Sequence, residues 1–181
     1  MVDVEKLTKK TLAGLLDSTC LKAFGGPEKI DELCREAAEF GFASVAVNGG
    51  EVDVVQNVRR LQAGDTAYVL AELSEFAKIC RGEGVTSKVI FENCYLTHEE
   101  KLLSCKIACE AGVDFVKTST GFGTGGATIE DVRLMREAIG PEMGLKAAGG
   151  IRTCADALAM IRAGATRLGT SAGRVIVEGL V

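Results

Sequence analysis

The C-terminal two thirds of the chain repeats one phrase, and this repetition constrains the fold more than any other feature. TSKVIFENCYL (86–96) reads as a buried strand, THEEKLLSCKIACEA as a helix opened by a Thr97-x-x-Glu100 capping box, and Gly112 as its stop. DFVKTS (114–119) is the next strand, followed by the loop TGFGTGGA, a helix opened by Thr128-x-x-Asp131, and Gly140-Pro141. GLKAAG (144–149) leads to Thr153-x-x-Asp156, a helix that Gly164 ends, and the last strand, TRLGTS (166–171). Apolar strands without polar alternation, separated by amphipathic helices, indicate parallel strands covered by helices.

The N-terminal part begins in the same way. LAGLLDST (12–19) is a strand candidate, EKIDELCREAAEF carries Ile30, Leu33, Cys34 and Ala37 on one face after Pro27, and FASVAV (42–47) follows Gly41 as a strand. The simplest closed form of repeated βα units is the α/β (β/α)8 barrel of TIM type, whose functional residues sit at the C-terminal ends of strands. Asp17, Asn48, Lys117 and Lys146 all occupy such ends. One place breaks the phrase. Only Asn48, Gly49 and Gly50 separate ASVAV from EVDVV (51–55), whereas a parallel crossover needs about a dozen residues. Either the pair is an Asn-Gly hairpin or a helix–strand–helix piece is absent. Seven strand candidates in 181 residues, below the roughly 200 usual for this barrel, favour a single domain (1–181) short of one strand.

Charge and cysteine content exclude several function classes. A net charge of −4 leaves no basic stripe for nucleic acid, and no apolar run approaches a membrane span of about 18 residues. A cytoplasmic protein is expected. The seven cysteines lack CxxC spacing and read as reduced, mostly buried thiols. The single histidine, His98, falls on the exposed first turn of a helix, so neither a metal nor another cofactor is expected.

Lys117 and Lys146 end adjacent βα units, so a barrel brings both side chains into one mouth. At about 6 Å and an effective dielectric near 20, two such charges repel by roughly 3 kcal/mol, enough to lower one lysine's pKa by about two units. No acid near Lys117 in sequence pairs with it. A depressed lysine is a neutral amine that attacks carbonyls, whereas a lysine that snorkels to solvent stays charged. AAGGIRT and GTSAGRV place Gly149, Gly150, Gly169, Ser171 and Arg174 after the last two strands, where such barrels hold phosphate; tight βα turns use the same glycines for geometry alone. Asp53, between valines, is either a buried acid–base or a structural ion-pair partner. Asp17 is either a helix N-cap or a site residue.

FVKTSTGFGTGGAT, LKAAGGIRT, RLGTSAG, VIFENCYLT, EVDVV and EFGFASVAVN closely resemble the deoxyribose-phosphate aldolases, a class I aldolase family, from about Leu15 onward. The resemblance implies a (β/α)8 barrel that reversibly cleaves 2-deoxy-D-ribose 5-phosphate to acetaldehyde and D-glyceraldehyde 3-phosphate without a metal, in deoxyribonucleotide catabolism. By the family pattern, Lys117 matches the Schiff-base lysine, Lys146 the neighbour that lowers its pKa, and Asp53 the proton-handling carboxylate. Asp17, Thr19 and Thr120 match pocket-lining positions, and Gly149, Gly150, Gly169 and Ser171 the phosphate cradle. The expected partner is a small phosphorylated sugar, and an uncovered strand edge is compatible with a homodimer. The family's helix–strand–helix between VN and EVDVV is absent, Ser18 replaces a frequent histidine, and Ala46 a frequent cysteine. The alternative is an impaired deletion relative that only binds a phosphorylated ligand.

Overall fold

The structure is a computed structural model that describes residues 2–19, 39, 44–46 and 51–180. The described residues form seven strands: β1 (Leu16–Thr19), β2 (Ser44–Ala46), β3 (Glu51–Val55), β4 (Thr86–Ile90), β5 (Phe115–Lys117), β6 (Gly144–Ala148) and β7 (Arg167–Thr170). Around them lie α1 (Lys9–Ala13), α2 (Val58–Gln62), α3 (Thr66–Gly82), α4 (His98–Ala111), α5 (Ile129–Ile139), α6 (Cys154–Arg162) and α7 (Gly173–Glu178). None of the described helices is long and apolar enough to cross a membrane.

Local chemistry sets most of these ends. Thr97 and Glu100 form the predicted capping box of α4, Thr153 and Asp156 that of α6, and Thr128 caps α5 by accepting from the Asp131 amide. Gly112 ends α4 in the left-handed conformation at φ 72, which a residue with a Cβ adopts only at a cost. The segment 12–19 departs from expectation. Its first residues belong to α1, because Thr8 and Thr11 cap each other reciprocally, and the strand begins only at Leu16. In 56–85, outside the repeated strand–helix phrases, Asn57 and Asp65 cap α2 and α3 by accepting from the Arg60 and Tyr68 amides.

All strand pairs are parallel, in the order β2-β1-β7-β6-β5-β4-β3. This is the α/β (β/α)8 barrel type, with seven strands among the described residues. β2 and β3 form the two edges of the sheet, so they are no hairpin; Asn48 and the rest of the connection lie outside the described residues. Strand residues alternate between two unlike faces. Leu16, Val89, Val116, Leu145 and Leu168 point toward the helices and are fully buried, each burial contributing about 1.5–3 kcal/mol. The opposite face is charged.

Candidate active site

That inner face carries a continuous chain of ion pairs. Lys146 on β6 meets Asp17 on β1; Asp17 accepts from Arg167 on β7 at 2.9 Å; Arg167 reaches Glu51 on β3 at 3.3 Å. Glu51 meets Lys88 on β4, Lys88 lies 3.6 Å from Asp53 on β3, and Asp53 accepts from Lys117 on β5 at 2.6 Å. Four cations thus share three carboxylates when all are ionised. The cations are enclosed: Lys88 is fully buried, and Lys117 and Lys146 are only 4% and 2% exposed. The two lysines do not snorkel. They are direct register partners on neighbouring strands, as Lys117 pairs with Lys146 across β5 and β6.

Lys117 is not unpaired, as its sequence neighbourhood suggested; its acid arrives from 64 residues away. Pairing with Asp53 opposes deprotonation, yet the ammonium is still held below the ordinary lysine range. Burial is the main cause, and the positive charge of Lys146 adds to it, with Lys88 a smaller contributor. Asp53 moves down as well: burial pushes it up, but the Lys117 hydrogen bond and the charges of Lys117, Lys146 and Lys88 together outweigh this. Asp53 does not sit in a buried apolar run. β3 is an edge strand whose Val52 and Val55 are 44% and 45% exposed, so the carboxylate is half-open while bound to Lys117 and Lys88.

Asp17 is fully buried within β1 and caps none of the described helices; it is the anion between Lys146 and Arg167. Asp17→Asn would leave two enclosed cations short of their counter-charge, a change of about 3–5 kcal/mol. A fall in thermal midpoint of about 10 °C is expected by calorimetry. Thr19 closes β1 in register with Ala46.

The loops at the C-terminal ends of β5, β6 and β7 pack on one another. Thr120 follows β5, and its amide and hydroxyl both donate to the Glu92 carboxylate. Gly149 and Gly150, at φ 89 and 83, turn the chain out of β6, and a Cβ on Gly126 would lie 2.3 Å from the Gly149 carbonyl oxygen. The Thr170 hydroxyl donates to the Ile151 carbonyl at 2.7 Å, which draws Ser171 toward the glycine turn. Asp156 already accepts from the Arg152 and Thr153 amides, so those two serve internal capping. Gly169 lies within β7 and not in the loop, and a Cβ there would meet Lys146 Cε at 3.1 Å. Its missing side chain makes room for the lysine. Arg174, on the surface of α7, pairs with Glu178 at 3.0 Å.

Sequence reasoning missed Lys88, Glu51, Arg167 and Glu92. A lysine inside the apolar run SKVIFE was the available signal for Lys88, since an unpaired charge does not remain in such a run. The other partners come together only through the sheet. The described cysteines are all free thiols; Cys105 is buried and pushed up to about 12 by desolvation, which makes it inert, and Cys109 is exposed. His98 is exposed at the start of α4, and among the described residues no His/Cys/Asp/Glu group is placed to hold a metal ion.

A parallel (β/α) barrel sheet with buried lysines in register on its inner face is of the aldolase class. The profile of the DeoC/LacD family aldolases matches residues 42–179, and the chain belongs to this family. A deoxyribose-phosphate aldolase of Bacteroides thetaiotaomicron is 45% identical, covering 97% of this chain and 92% of the relative. One from Thermococcus gammatolerans is also 45% identical, over 93% of this chain and 96% of its own. The solved structure of the tetrameric deoxyribose phosphate aldolase of Aeropyrum pernix superposes with a TM-score of 0.86 at 26% identity, covering 97% of this chain and 93% of that one. The Bacteroides alignment runs over 220 positions against 181 residues here, so that relative carries residues without a counterpart.

Proposed function

We propose that the protein is a class I aldolase that reversibly cleaves 2-deoxy-D-ribose 5-phosphate through an imine on Lys117. The observation that carries this reading is the enclosed lysine whose ammonium is destabilised by burial and by a second lysine in register with it. Loss of one proton from Lys117 leaves three cations against three carboxylates, so the neutral amine is the balanced state of the layer. That amine adds to the substrate aldehyde, and loss of water gives the imine. The iminium draws in the electron pair of the bond between C2 and C3 while the C3 hydroxyl gives up its proton. Glyceraldehyde 3-phosphate departs, and the remaining enamine takes a proton on carbon before hydrolysis frees acetaldehyde. Asp53, 2.6 Å from the Lys117 nitrogen, is in reach to hold and return these protons.

Gly149, Gly150 and Ser171, grouped at the ends of β6 and β7, are the proposed phosphate contacts, with Asp17, Thr19 and Thr120 lining the approach. Gly169 serves the same site indirectly, by clearing space for Lys146. The sheet order supports placing the absent helix–strand–helix between β2 and β3, since those strands are its two edges. Borohydride reduction in the presence of deoxyribose 5-phosphate tests the function. A stable adduct mapped to Lys117 by mass spectrometry, together with aldehyde release, is the expected result. Binding without adduct identifies a relative that only holds the ligand, and turnover without adduct rules out imine chemistry.

A further inference from the structure

We infer that Glu92 is a positioning residue: its carboxylate fixes the loop 120–126 across the end of β5 and so sets Thr120 beside Lys117. This deepens the aldolase reading of the same site and rests on it. Glu92 lies two residues beyond β4 with φ 56 and ψ 61, and it is the only residue other than glycine with positive φ among the described residues. Such a conformation is costly for a side chain bearing a Cβ, and it persists where the surroundings over-determine it. The residue is also 5% exposed, although its side chain is a carboxylate.

The surroundings are specific. On either side of Glu92, the Phe91 amide donates to the Lys117 carbonyl and the Asn93 amide to the Thr118 carbonyl, both at 2.9 Å. The segment is therefore pinned to the residues that end β5. Turned between them, the carboxylate accepts the Thr120 amide at 3.2 and 3.3 Å and the Thr120 hydroxyl, while that hydroxyl accepts from the Phe122 amide at 3.0 Å. Gly123 folds over it so closely that a Cβ would stand 3.1 Å from Glu92 Oε1. The far end of the loop is tied to β6, where the Ala127 amide donates to the Ala148 and Gly149 carbonyls at 3.0 and 3.1 Å. The loop is thus a bridge with one foot on Glu92 and the other on the glycine turn. No Lys or Arg among the described residues pairs with Glu92; its carboxylate is met by the Thr120 amide and hydroxyl of the loop and by the Cys94 thiol at 3.9 Å.

Two variants separate the carboxylate from the backbone it sits on. Glu92→Gly relieves the left-handed strain and deletes the carboxylate; Glu92→Gln keeps an acceptor oxygen. For Glu92→Gly the thermal midpoint should hold, amide exchange at Thr120 and Phe122 should rise at least about tenfold, and KM should rise about tenfold with kcat within about threefold. Glu92→Gln should recover most of both. Unchanged exchange and KM in Glu92→Gly would overturn the inference, as would a fall in midpoint with no loop-specific change in exchange. If the unmutated protein neither cleaves deoxyribose 5-phosphate nor is trapped by borohydride, the aldolase reading fails, and exchange alone still decides whether Glu92 holds the loop.

Discussion

Lys117→Ala is expected to lower kcat/KM for deoxyribose 5-phosphate cleavage by at least about 10^4-fold and to abolish borohydride labelling. The size of the effect follows from chemistry that no other group supplies. Without a nitrogen at that position there is no imine and no acceptor for the electrons of the breaking bond. Lys146 is no substitute, since its ammonium is committed to Asp17 on the other side of the layer. The fold should survive, because removing Lys117 takes away the excess cation and leaves Asp53 facing Lys88 at 3.6 Å. A folded Lys117→Ala protein that still cleaves the sugar would end the imine mechanism.

Lys146→Met should produce the second largest change, and its sign is set by Lys117. Burial and the Lys146 charge both depress the Lys117 pKa, so deleting Lys146 lets it climb back toward 10.5 while burial continues to hold it down. At pH 7 a smaller fraction of Lys117 is then neutral, about tenfold smaller for each unit of rise. The expected result is a loss of about 10- to 100-fold at pH 7, with the rising limb of the pH–kcat/KM profile displaced toward alkaline pH and part of the activity returning near pH 9. Lys146→Arg keeps the charge and should leave the limb in place. Asp17 retains Arg167 at 2.9 Å in either variant. A uniform loss at every pH, with an unmoved limb, would show that Lys146 acts on something other than its neighbour's proton.

The two lysines were legible because each falls at the end of a recognisable strand–helix phrase, and neighbouring phrases of a parallel sheet bring their ends together. The helix boundaries were legible for a more local reason: Thr97 with Glu100, and Thr153 with Asp156, satisfy amides within one turn. The segment 12–19 misled, since its apolar run fits a buried helix as well as a strand, and the deciding signal, the Thr8–Thr11 cap, lies just upstream. Gly169 shows a different limit. It sits in a glycine-rich stretch resembling a phosphate loop, and only the sheet reveals that its missing side chain also leaves space for Lys146.

What the amino-acid order determined alone is the run of elements from β4 to β7 with their caps, and the lysines offered to a common face, because each depends on residues within a few positions of one another. What only the tertiary structure decided is the pairing of charges. Asp53 reaches Lys117 across 64 positions, Glu51 reaches Arg167 across 116, and Asp17 reaches Arg167 across 150. A carboxylate's effect on a distant lysine falls off over ångströms of space, and only the sheet converts those sequence separations into contact.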